Sequence, residues 1–398
     1  SLLFHSSMIR HVSAEFIFPV NGEPLRNGIV SINEAGEIIN VYSSESGVVI
    51  PDPIEHHKGI IVPGFVNTHC HLELSHMAGK LAARQGLISF LTKVIKQRSE
   101  DESVILQAMS DADKTMQDNG IVAVGDISNN ILSKNIKEAS DLHYHTFVEF
   151  LSFDPHKAGL VYKKALELLR DFSPLPASLA PHAPYSVSKE LLKLFQKNIE
   201  GHAEMTSMHN QESDDENELY RYKKGKFLDF YKSLNLNIDF FKPQARNSIQ
   251  SVVPLFASRQ RVLLVHNTYT SLKDVYFANR FNREIHWCFC PNANLFIEGR
   301  LPKIEMFQFH DFNITVGTDS LASNEKLCIL SELKVIKEHF PSLSFAETIR
   351  WATINGARFL GVDHKFGSIE QGKTPGLNLI TNTVGMELTA GSEVRKLI

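Results

Sequence analysis

The sequence predicts an α/β fold, a (β/α)8 barrel of the TIM type that carries a small β-sandwich domain built from both chain ends. Eight apolar runs lie between residues 61 and 320, and most of them are followed by helix-like sequence. Strands that alternate with helices are typical of a parallel sheet, and eight such units fit a barrel. The two chain ends instead contain short β-type runs separated by turn residues, which favours a β domain of their own.

The domain boundaries follow from where this pattern changes. Residues 1–60 contain β-type runs such as EFIFPV and GIVSI, and the tail from Phe366 returns to short strands and Gly-rich turns. We therefore expect residues 1–60 and 366–398 to form one composite β domain. Residues 61–365 are then the catalytic barrel.

The eight apolar runs are the candidate barrel strands. They are IVPGFVNTHCHLELSH (61–76), GIVAVGDIS (120–128), HYHTFVEF (143–150), ASLAPHAPYSVS (177–188), MTSMHNQES (205–213), RVLLVHNTYT (261–270), EIHWCFCPNANL (284–295) and NITVGTDS (313–320). Residues 86–98 and 160–172 have the apolar spacing of amphipathic helices. Residues 212–260 are too long for a minimal connection, and we expect a loop there that forms part of the wall or lid of the substrate pocket.

Composition and charge exclude several classes of protein. The chain has 398 residues, a net charge of −4 and scattered Lys and Arg, so neither a nucleic-acid nor a membrane partner is indicated. The N-terminal SLLFHSSMIR lacks a sustained apolar segment, and a cytoplasmic protein is expected. Four cysteines are too few for a disulfide framework. Cys288 and Cys290 are interpreted as buried thiols, with a metal-binding pair as the alternative.

Two histidines close the first apolar run. His69 and His71 are separated by one residue, so on a strand both side chains point to the same side and can contact one metal ion. The same alternation places Glu73 just above them. An isolated pair of this kind more often simply ends a strand, so the interpretation depends on the other strand ends.

Polar residues recur where the other runs end, which is where active sites of such barrels lie. In chain order they are His69, His71, Asp126, Glu149, His182, His209, His266 and Asp319. Three imidazoles and one carboxylate, from His69, His71, His209 and Asp319, suit Zn²⁺ and leave a position open for water. Fe²⁺ would fit the same ligands. Each residue alone has a simpler interpretation as a hydrogen-bonded structural group.

Glu212 follows His209 by three residues. A carboxyl group beside a metal-bound water can transfer protons to a leaving group without being a ligand. The alternative is that Glu212 merely begins an acidic run on a solvated loop. Its position next to His209 favours the catalytic interpretation.

At these residues the chain resembles the amidohydrolase superfamily, in particular its branch of aminopurine and other cyclic-amidine deaminases, with triazine hydrolases as neighbours. PGFVNTHCH, MHNQE, LVHN and VGTDS are similar to the motifs of the first, fifth, sixth and eighth barrel strands. GSIEQGKTPGLNLI resembles the returning β segment, with Pro375 and Gly376 where Ala-Asp is common.

The resemblance implies a site with one divalent metal ion. Its ligands are then His69, His71, His209 and Asp319. Glu212 is the implied proton shuttle, and His266 activates or orients the attacking water. Members with two metals carry a lysine on the fourth strand, and ASLAPHAPYS has none.

The resemblance also bears on the substrate. His182 stands where adenosine-type deaminases contact the nucleoside. HLELS, followed by SFLTKVIKQR, looks most like the aminodeoxyfutalosine deaminases of the alternative menaquinone route. On that basis Glu73 and Ser75 lie over the metal and Arg98 meets a substrate carboxylate. Arg98 could instead be only a favourable charge at a helix end.

Three functions remain open on these residues. The first is a metal-dependent deaminase of an aminopurine nucleoside-like substrate, such as 6-amino-deoxyfutalosine or an adenosine derivative. The second is another hydrolase on the same scaffold, similar to guanine deaminases or chlorotriazine hydrolases. The third is a non-catalytic binding protein, which the retained metal-ligand pattern and Glu212 disfavour. A small-molecule substrate is expected in the first two cases, and a homodimer is implied only by the resemblance.

Overall fold

The computed structural model describes residues 8–199, 204–282 and 284–398. Residues 1–7, on which the expected lack of an N-terminal apolar segment partly depends, lie outside the described residues. Over the described ranges, no helix combines the length and the apolar character needed to span a bilayer.

Strands and helices alternate over most of the chain. The strands are β1 (Ile9–Ile17), β2 (Leu25–Arg26), β3 (Ile29–Asn33), β4 (Ile38–Tyr42), β5 (Ile54–Pro63), β6 (Phe65–Cys70), β7 (Ile121–Ser128), β8 (His143–Phe150), β9 (Ala177–Pro181), β10 (Met205–Asn210), β11 (Arg261–His266), β12 (Ile285–Phe289), β13 (Ile314–Val316), β14 (Leu377–Thr381) and β15 (Glu393–Lys396). The α-helices are α1 (Leu87–Gln97), α2 (Glu102–Asp118), α3 (Lys134–Ala139), α4 (Ala158–Phe172), α5 (Lys189–Ile199), α6 (Asp214–Tyr222), α7 (Phe227–Ser233), α8 (Ser248–Val252), α9 (Leu272–Phe281), α10 (Pro291–Ile297), α11 (Ile304–Phe309), α12 (Ile329–His339), α13 (Phe345–Trp351) and α14 (Ile354–Leu360). Short 3₁₀ turns cover Leu72–Met77, Pro155–Lys157, Pro184–Ser186 and Val253–Leu255.

The chain forms two compact units. The first contains the N-terminal segment up to Asn67 together with Lys114–Ala123 and Cys328–Ile398. The second consists of Thr68–Asp113 and Val124–Leu327. Every residue of the candidate site belongs to the second unit.

The first unit contains a seven-stranded sheet that joins the two chain ends. Its order is β15-β14-β5-β1-β3-β4, with β2 paired to β1. Strand β5 pairs in parallel with β1 and antiparallel with β14, so the N-terminal and C-terminal strands lie side by side. Gly59 has a φ of +107°, and a side chain there would overlap the carbonyl oxygen of Ile380. One apolar cluster packs on this sheet, formed by Val12, Ala14, Ile17, Val30, Ile32, Ile38, Ile61, Ile369, Leu377 and Leu379.

The eight predicted runs all contain strands, which confirms the α/β prediction. They form two four-stranded sheets, with the orders β6-β7-β8-β9 and β10-β11-β12-β13. Strand pairs β8–β9, β10–β11, β11–β12 and β12–β13 are parallel. All residues of β6 and β12 are buried, as expected for strands covered on both faces.

Parallel register brings the carboxyl ends of these strands together. In the second unit, His209 pairs with Val265, so β10 and β11 end side by side. The amide of His209 donates a 3.0 Å hydrogen bond to the carbonyl of His182, and the amide of Asp319 donates one of 3.0 Å to the carbonyl of His69. Gly317 allows this second approach, because a Cβ there would lie only 2.8 Å from the Cβ of His69.

Residues 212–260 contain three helices, so the prediction of one long loop there was wrong. They contain α6, α7, α8 and the 3₁₀ turn Val253–Leu255. Ser213 caps α6 by accepting a hydrogen bond from the amide of Asp215, and the acidic first turn suits the positive end of the helix dipole. Leu219 and Tyr220 are buried on that helix together with the polar side chains of Glu216 and Asn217. The acidic run therefore belongs to a helix in which Asp214 is exposed and Glu216 is buried.

Candidate active site

The strand ends in the second unit bring five predicted side chains together. His69 lies in β6 with His71 directly after it, His209 and His266 lie at the ends of β10 and β11, and Asp319 follows β13. All five are at least nine-tenths buried. His266 and Asp319 have φ angles of 82° and 59°, a conformation that costs free energy outside glycine and recurs at functional sites.

Three imidazole nitrogens and one carboxylate oxygen face one another. The Nε2 atom of His71 lies 3.2 Å from Nε2 of His69 and 3.3 Å from Nε2 of His209. The Oδ1 atom of Asp319 lies 3.3 Å from Nε2 of His69 and 3.4 Å from Nε2 of His71. Histidine nitrogens with a carboxylate oxygen are the donor set that a divalent transition metal prefers. These four residues can therefore hold one metal ion.

Neighbouring groups determine which histidine nitrogens carry a proton. The Nδ1 atom of His209 lies 2.7 Å from the carbonyl oxygen of His182. A carbonyl can only accept, so Nδ1 carries the hydrogen and Nε2 presents its lone pair to the centre. The Nδ1 atom of His266 lies 2.8 Å from Oδ1 of Asn294, so its Nε2 is likewise free to accept.

Burial keeps most of these imidazoles neutral. Desolvation, followed by the neighbouring His69, lowers the pKa of His71 to about 3. Desolvation also lowers the pKa of His266 to about 4 and that of His209 well below its usual value. Burial would raise the pKa of Asp319, but its hydrogen bond with His69 and the charges of the neighbouring histidines together lower it. Neutral imidazoles beside an ionised carboxylate are in the protonation states of metal ligands.

Glu212 is a buried carboxyl group next to this cluster. Its Oε1 atom lies 3.3 Å from Nε2 of His266. Burial, followed by the negative charge of Asp319, raises the pKa of Glu212 well above its usual value. A raised pKa favours the protonated carboxyl group, which is the form that can donate a proton.

A cavity of about 400 Å³ opens onto the cluster. His71, His209, Glu212, His266 and Asp319 line one end of it. The other walls are largely apolar and come from α1, from the end of β8 and from α7 with the residues after it; their side chains are Leu87, Phe90, Leu91, Val94, Ile95, Leu151, Phe153, Phe230, Tyr231, Leu234 and Leu236. The prediction that residues 212–260 contribute to the pocket wall is confirmed by α7.

The predicted substrate contacts divide into two groups. Arg98 and His182 line the cavity, whereas Glu73 and Ser75 are not among its lining residues. The Oε1 atom of Glu73 lies 3.4 Å from Nη2 of Arg98 and accepts a 2.8 Å hydrogen bond from the amide of Asn129. Burial raises the pKa of Glu73 to about 7. The hydroxyl of Ser75 donates to the carbonyl of Leu72 within its own 3₁₀ turn.

The two acidic residues at the next strand ends have other partners. Asp126 forms a fully buried 2.8 Å ion pair with Lys137 and accepts a 2.8 Å hydrogen bond from the amide of Leu72, directly after His71. Glu149 lines the cavity and accepts a 3.1 Å hydrogen bond from Nδ2 of Asn129. Asp126 thus supports the turn that follows the paired histidines.

Sequence reasoning missed the residues that orient the site. Asn294 holds His266, and the hydroxyl of Ser323 donates a 3.1 Å hydrogen bond to Oδ2 of Asp319. Asn294 stands in PNANL directly after a predicted strand, where a polar residue could have been noted. Asn129 carries the same signal, because it directly follows the predicted strand of residues 120–128, whereas Ser323 lies in an irregular segment.

Comparisons with known proteins agree with this architecture. The model of the amidohydrolase family matches residues 60–392. The adenosine deaminase of Helicobacter pylori is 29% identical over 333 residues, covering 81% of this chain and 79% of that protein. The aminodeoxyfutalosine deaminase of a Nitratiruptor species is 28% identical over 353 residues, covering 84% of this chain and 82% of that protein.

A solved structure has the same fold. The crystal structure of Helicobacter pylori aminofutalosine deaminase in complex with methylthio-coformycin has a TM-score of 0.78 to this chain. The two are 23% identical, and the match covers 96% of this chain and 93% of the other.

Proposed function

The chain belongs to the amidohydrolase family, and we propose that it is a metal-dependent deaminase that hydrolyses the amino group of an adenine-like nucleoside. The observation that carries this proposal is the convergence of three imidazole Nε2 atoms and one carboxylate beside the buried Glu212, at the end of a cavity large enough for a small molecule. The relatives named above support the reaction class.

One divalent ion, zinc in this proposal, would be held by His69, His71, His209 and Asp319. When bound it supplies Lewis-acid activation of a water molecule at neutral pH. His69 has a pKa raised by Asp319 against the effect of burial, so ion binding would displace its proton. The neutral Nε2 atoms of His71 and His209 are already suited to coordination.

The remaining steps belong to side chains of this chain. The attacking water forms a C–O bond to the ring carbon that carries the amino group, while Glu212 donates its proton to the adjacent ring nitrogen. Glu212 then takes up a proton from the added water and passes it to the amino group, so that the C–N bond breaks and ammonia leaves. The remaining hydroxyl proton returns to Glu212 as the ring carbonyl forms. Nε2 of His266, 3.3 Å from Glu212 and 3.7 Å from Oδ2 of Asp319, orients the attacking water. The products are ammonia and the ring carbonyl.

The substrate in this proposal is 6-amino-deoxyfutalosine or a related adenosine derivative. His182, on the cavity wall beside His209, contacts the nucleoside. Arg98 meets a carboxylate at the more apolar end, with Glu73 holding the guanidinium in place. Such a substrate places the enzyme in menaquinone synthesis in this proposal. The Nitratiruptor relative, an aminodeoxyfutalosine deaminase, supports the choice of substrate.

A substrate panel with elemental analysis tests the proposal. Conversion of the amino group to a carbonyl changes the purine absorbance, so adenosine, 6-amino-deoxyfutalosine, guanine and a chlorotriazine can be compared directly. We expect the two adenine nucleosides to be preferred and one metal ion per chain to copurify. Preference for guanine or the chlorotriazine would overturn the substrate assignment. Full metal occupancy in a His69→Ala, His71→Ala variant would overturn the site.

We also infer that the two four-stranded sheets close into one (β/α)8 barrel, residues 61–365, and that residues 1–60 and 366–398 form a small β-sandwich domain. The hydrogen bonds His209–His182 and Asp319–His69 support closure at both junctions. The four buried cysteines form no disulfide, which supports a reducing compartment, the cytoplasm in this proposal. A crystal structure tests the architecture and would reveal whether the expected homodimer forms.

A further inference from the structure

Glu149 is a buried carboxylate in the cavity with no role in the steps above. Its side chain is 4% exposed, and it lines the same cavity as Glu212 and His182. One oxygen, Oε1, accepts a 3.1 Å hydrogen bond from Nδ2 of Asn129. An ionised carboxylate can accept about four hydrogen bonds, so most of the capacity of Glu149 remains available.

The second oxygen has no donor among the described residues. Oε2 lies 3.8 Å from Nδ1 of His209, but the hydrogen on that nitrogen is used in the 2.7 Å bond to the carbonyl of His182. Because Glu149 lines the cavity, a ligand bound there can supply the donor that this oxygen lacks.

Glu149 also lies next to the residue assigned to the nucleoside. A carboxylate oxygen of Glu149, a ring nitrogen of His182 and a ring nitrogen of His209 all lie within 4.8 Å of one another. Nδ1 of His182 is engaged by the hydroxyl of Ser186 at 2.6 Å, which leaves its other ring nitrogen for the cavity. The wall therefore presents a carboxylate and an imidazole side by side, next to the metal ligands.

We propose that Glu149, held by Asn129, is a specificity-determining residue that binds the vicinal hydroxyl groups of the substrate's sugar. This inference rests on the proposed function, since the sugar belongs to the proposed nucleoside. Two neighbouring hydroxyls are donors that match a carboxylate with unused acceptor capacity. His182 contacts the same sugar from the adjacent position.

The test compares adenosine with 2′-deoxyadenosine and 3′-deoxyadenosine. In the unaltered enzyme we expect kcat/KM to fall roughly 10- to 150-fold for a missing hydroxyl, the range for a hydrogen bond to a charged group. In Glu149→Gln the ratio of kcat/KM for adenosine to kcat/KM for the deoxy substrate should fall toward one. The substitution and the missing hydroxyl remove the same interaction, so their effects should not add. Metal content should not change.

Asp154→Asn is the matched control. Asp154 lines the same cavity, but its carboxylate accepts from the amide of His156 in its own turn. This variant should keep the preference for adenosine. An undiminished preference in Glu149→Gln would overturn the inference, as would loss of metal in that variant, which would make Glu149 a support for His209. If the unaltered enzyme deaminates neither these three nucleosides nor 6-amino-deoxyfutalosine, the proposed function itself fails.

Discussion

The Nδ1 atom of His266 lies 2.8 Å from Oδ1 of Asn294, a residue in α10. This contact turns the opposite nitrogen, Nε2, toward Glu212 and Asp319. Asn294, which follows β12, thereby fixes the orientation of the His266 ring at the end of β11. The water-orienting role proposed for His266 depends on that tautomer.

We expect Asn294→Ala to lower kcat by about 10- to 100-fold, the usual range for removing a group that orients a site residue. KM and metal content should change little, because Asn294 does not line the cavity. Asn282→Ala is the control, since Asn282 is also buried and donates to the carbonyl of Gln260. Steady-state kinetics with elemental analysis checks the prediction. Equal losses of kcat in both variants would show that Asn294→Ala acts only by destabilising the protein.

Glu212→Gln should retain the metal and lose turnover by roughly 10²–10⁴-fold, the range for general acid–base catalysis. The amide has nearly the same shape but cannot transfer the proton. Glu218→Gln, in the acidic helix α6, removes a carboxylate that does not line the cavity and should leave kcat unchanged. Near-normal kcat in Glu212→Gln would remove it from the mechanism, and metal depletion would make it a ligand.

Arg98→Ala should raise KM far more for 6-amino-deoxyfutalosine than for adenosine, because only the former has a carboxylate for the guanidinium. The side chain of Arg98 lines the cavity and is held by Glu73. Lys96→Ala removes an exposed cation from the last turn of the same helix and should affect neither KM. Equal KM changes for the two substrates would leave Arg98 as a helix-end charge.

His145 should make the protein acid-sensitive. Burial lowers the pKa of His145 to about 3, whereas an unfolded histidine has a pKa near 6.5. Between these values the unfolded state binds more protons, so the free energy of unfolding falls as pH decreases, by up to about 1.4 kcal/mol per pH unit from this residue. Above pH 6.5 its contribution is constant.

Denaturant titrations at pH 7, 6 and 5 check this expectation. His145→Gln can keep a hydrogen bond to Ser178, which lies 2.8 Å from Nε2, and should show a shallower loss of stability on acidification. His156→Gln, at an exposed position, should behave like the unaltered protein. An unchanged slope in His145→Gln would show that other groups cause the acid sensitivity.

The sequence predicted the positions of side chains correctly where these positions follow from regular strand geometry. His209 and His266 were predicted from the ends of apolar runs, and the parallel register brings them together. The alternation argument failed for Glu73, because β6 ends at Cys70 and a 3₁₀ turn begins at Leu72. Beyond that point side chains no longer point to alternate sides, so Glu73 turns toward Arg98.

Contacts between distant segments could not be predicted. Asn294 orients His266 only because β11 and β12 are neighbours, and nothing near His266 in sequence indicates this. The helix α6 was hidden by the charge of its sequence, because Leu219 and Tyr220 are its only large apolar side chains that are buried. In both cases the local structure depends on packing against residues that are distant in sequence.

The separation of the metal-facing residues along the chain has a kinetic consequence. His69 and Asp319 are 250 positions apart (319 − 69), yet their side chains lie 3.3 Å apart. Loop-closure entropy disfavours so distant a contact early in folding, so the cation-binding geometry should form after the folding barrier. A bound ion would then lower the unfolding rate and leave the refolding rate nearly unchanged. Stopped-flow measurements of both rates, with and without chelator, check this expectation. On the ribosome, nearly all of the second unit must be synthesised before the ion can be captured.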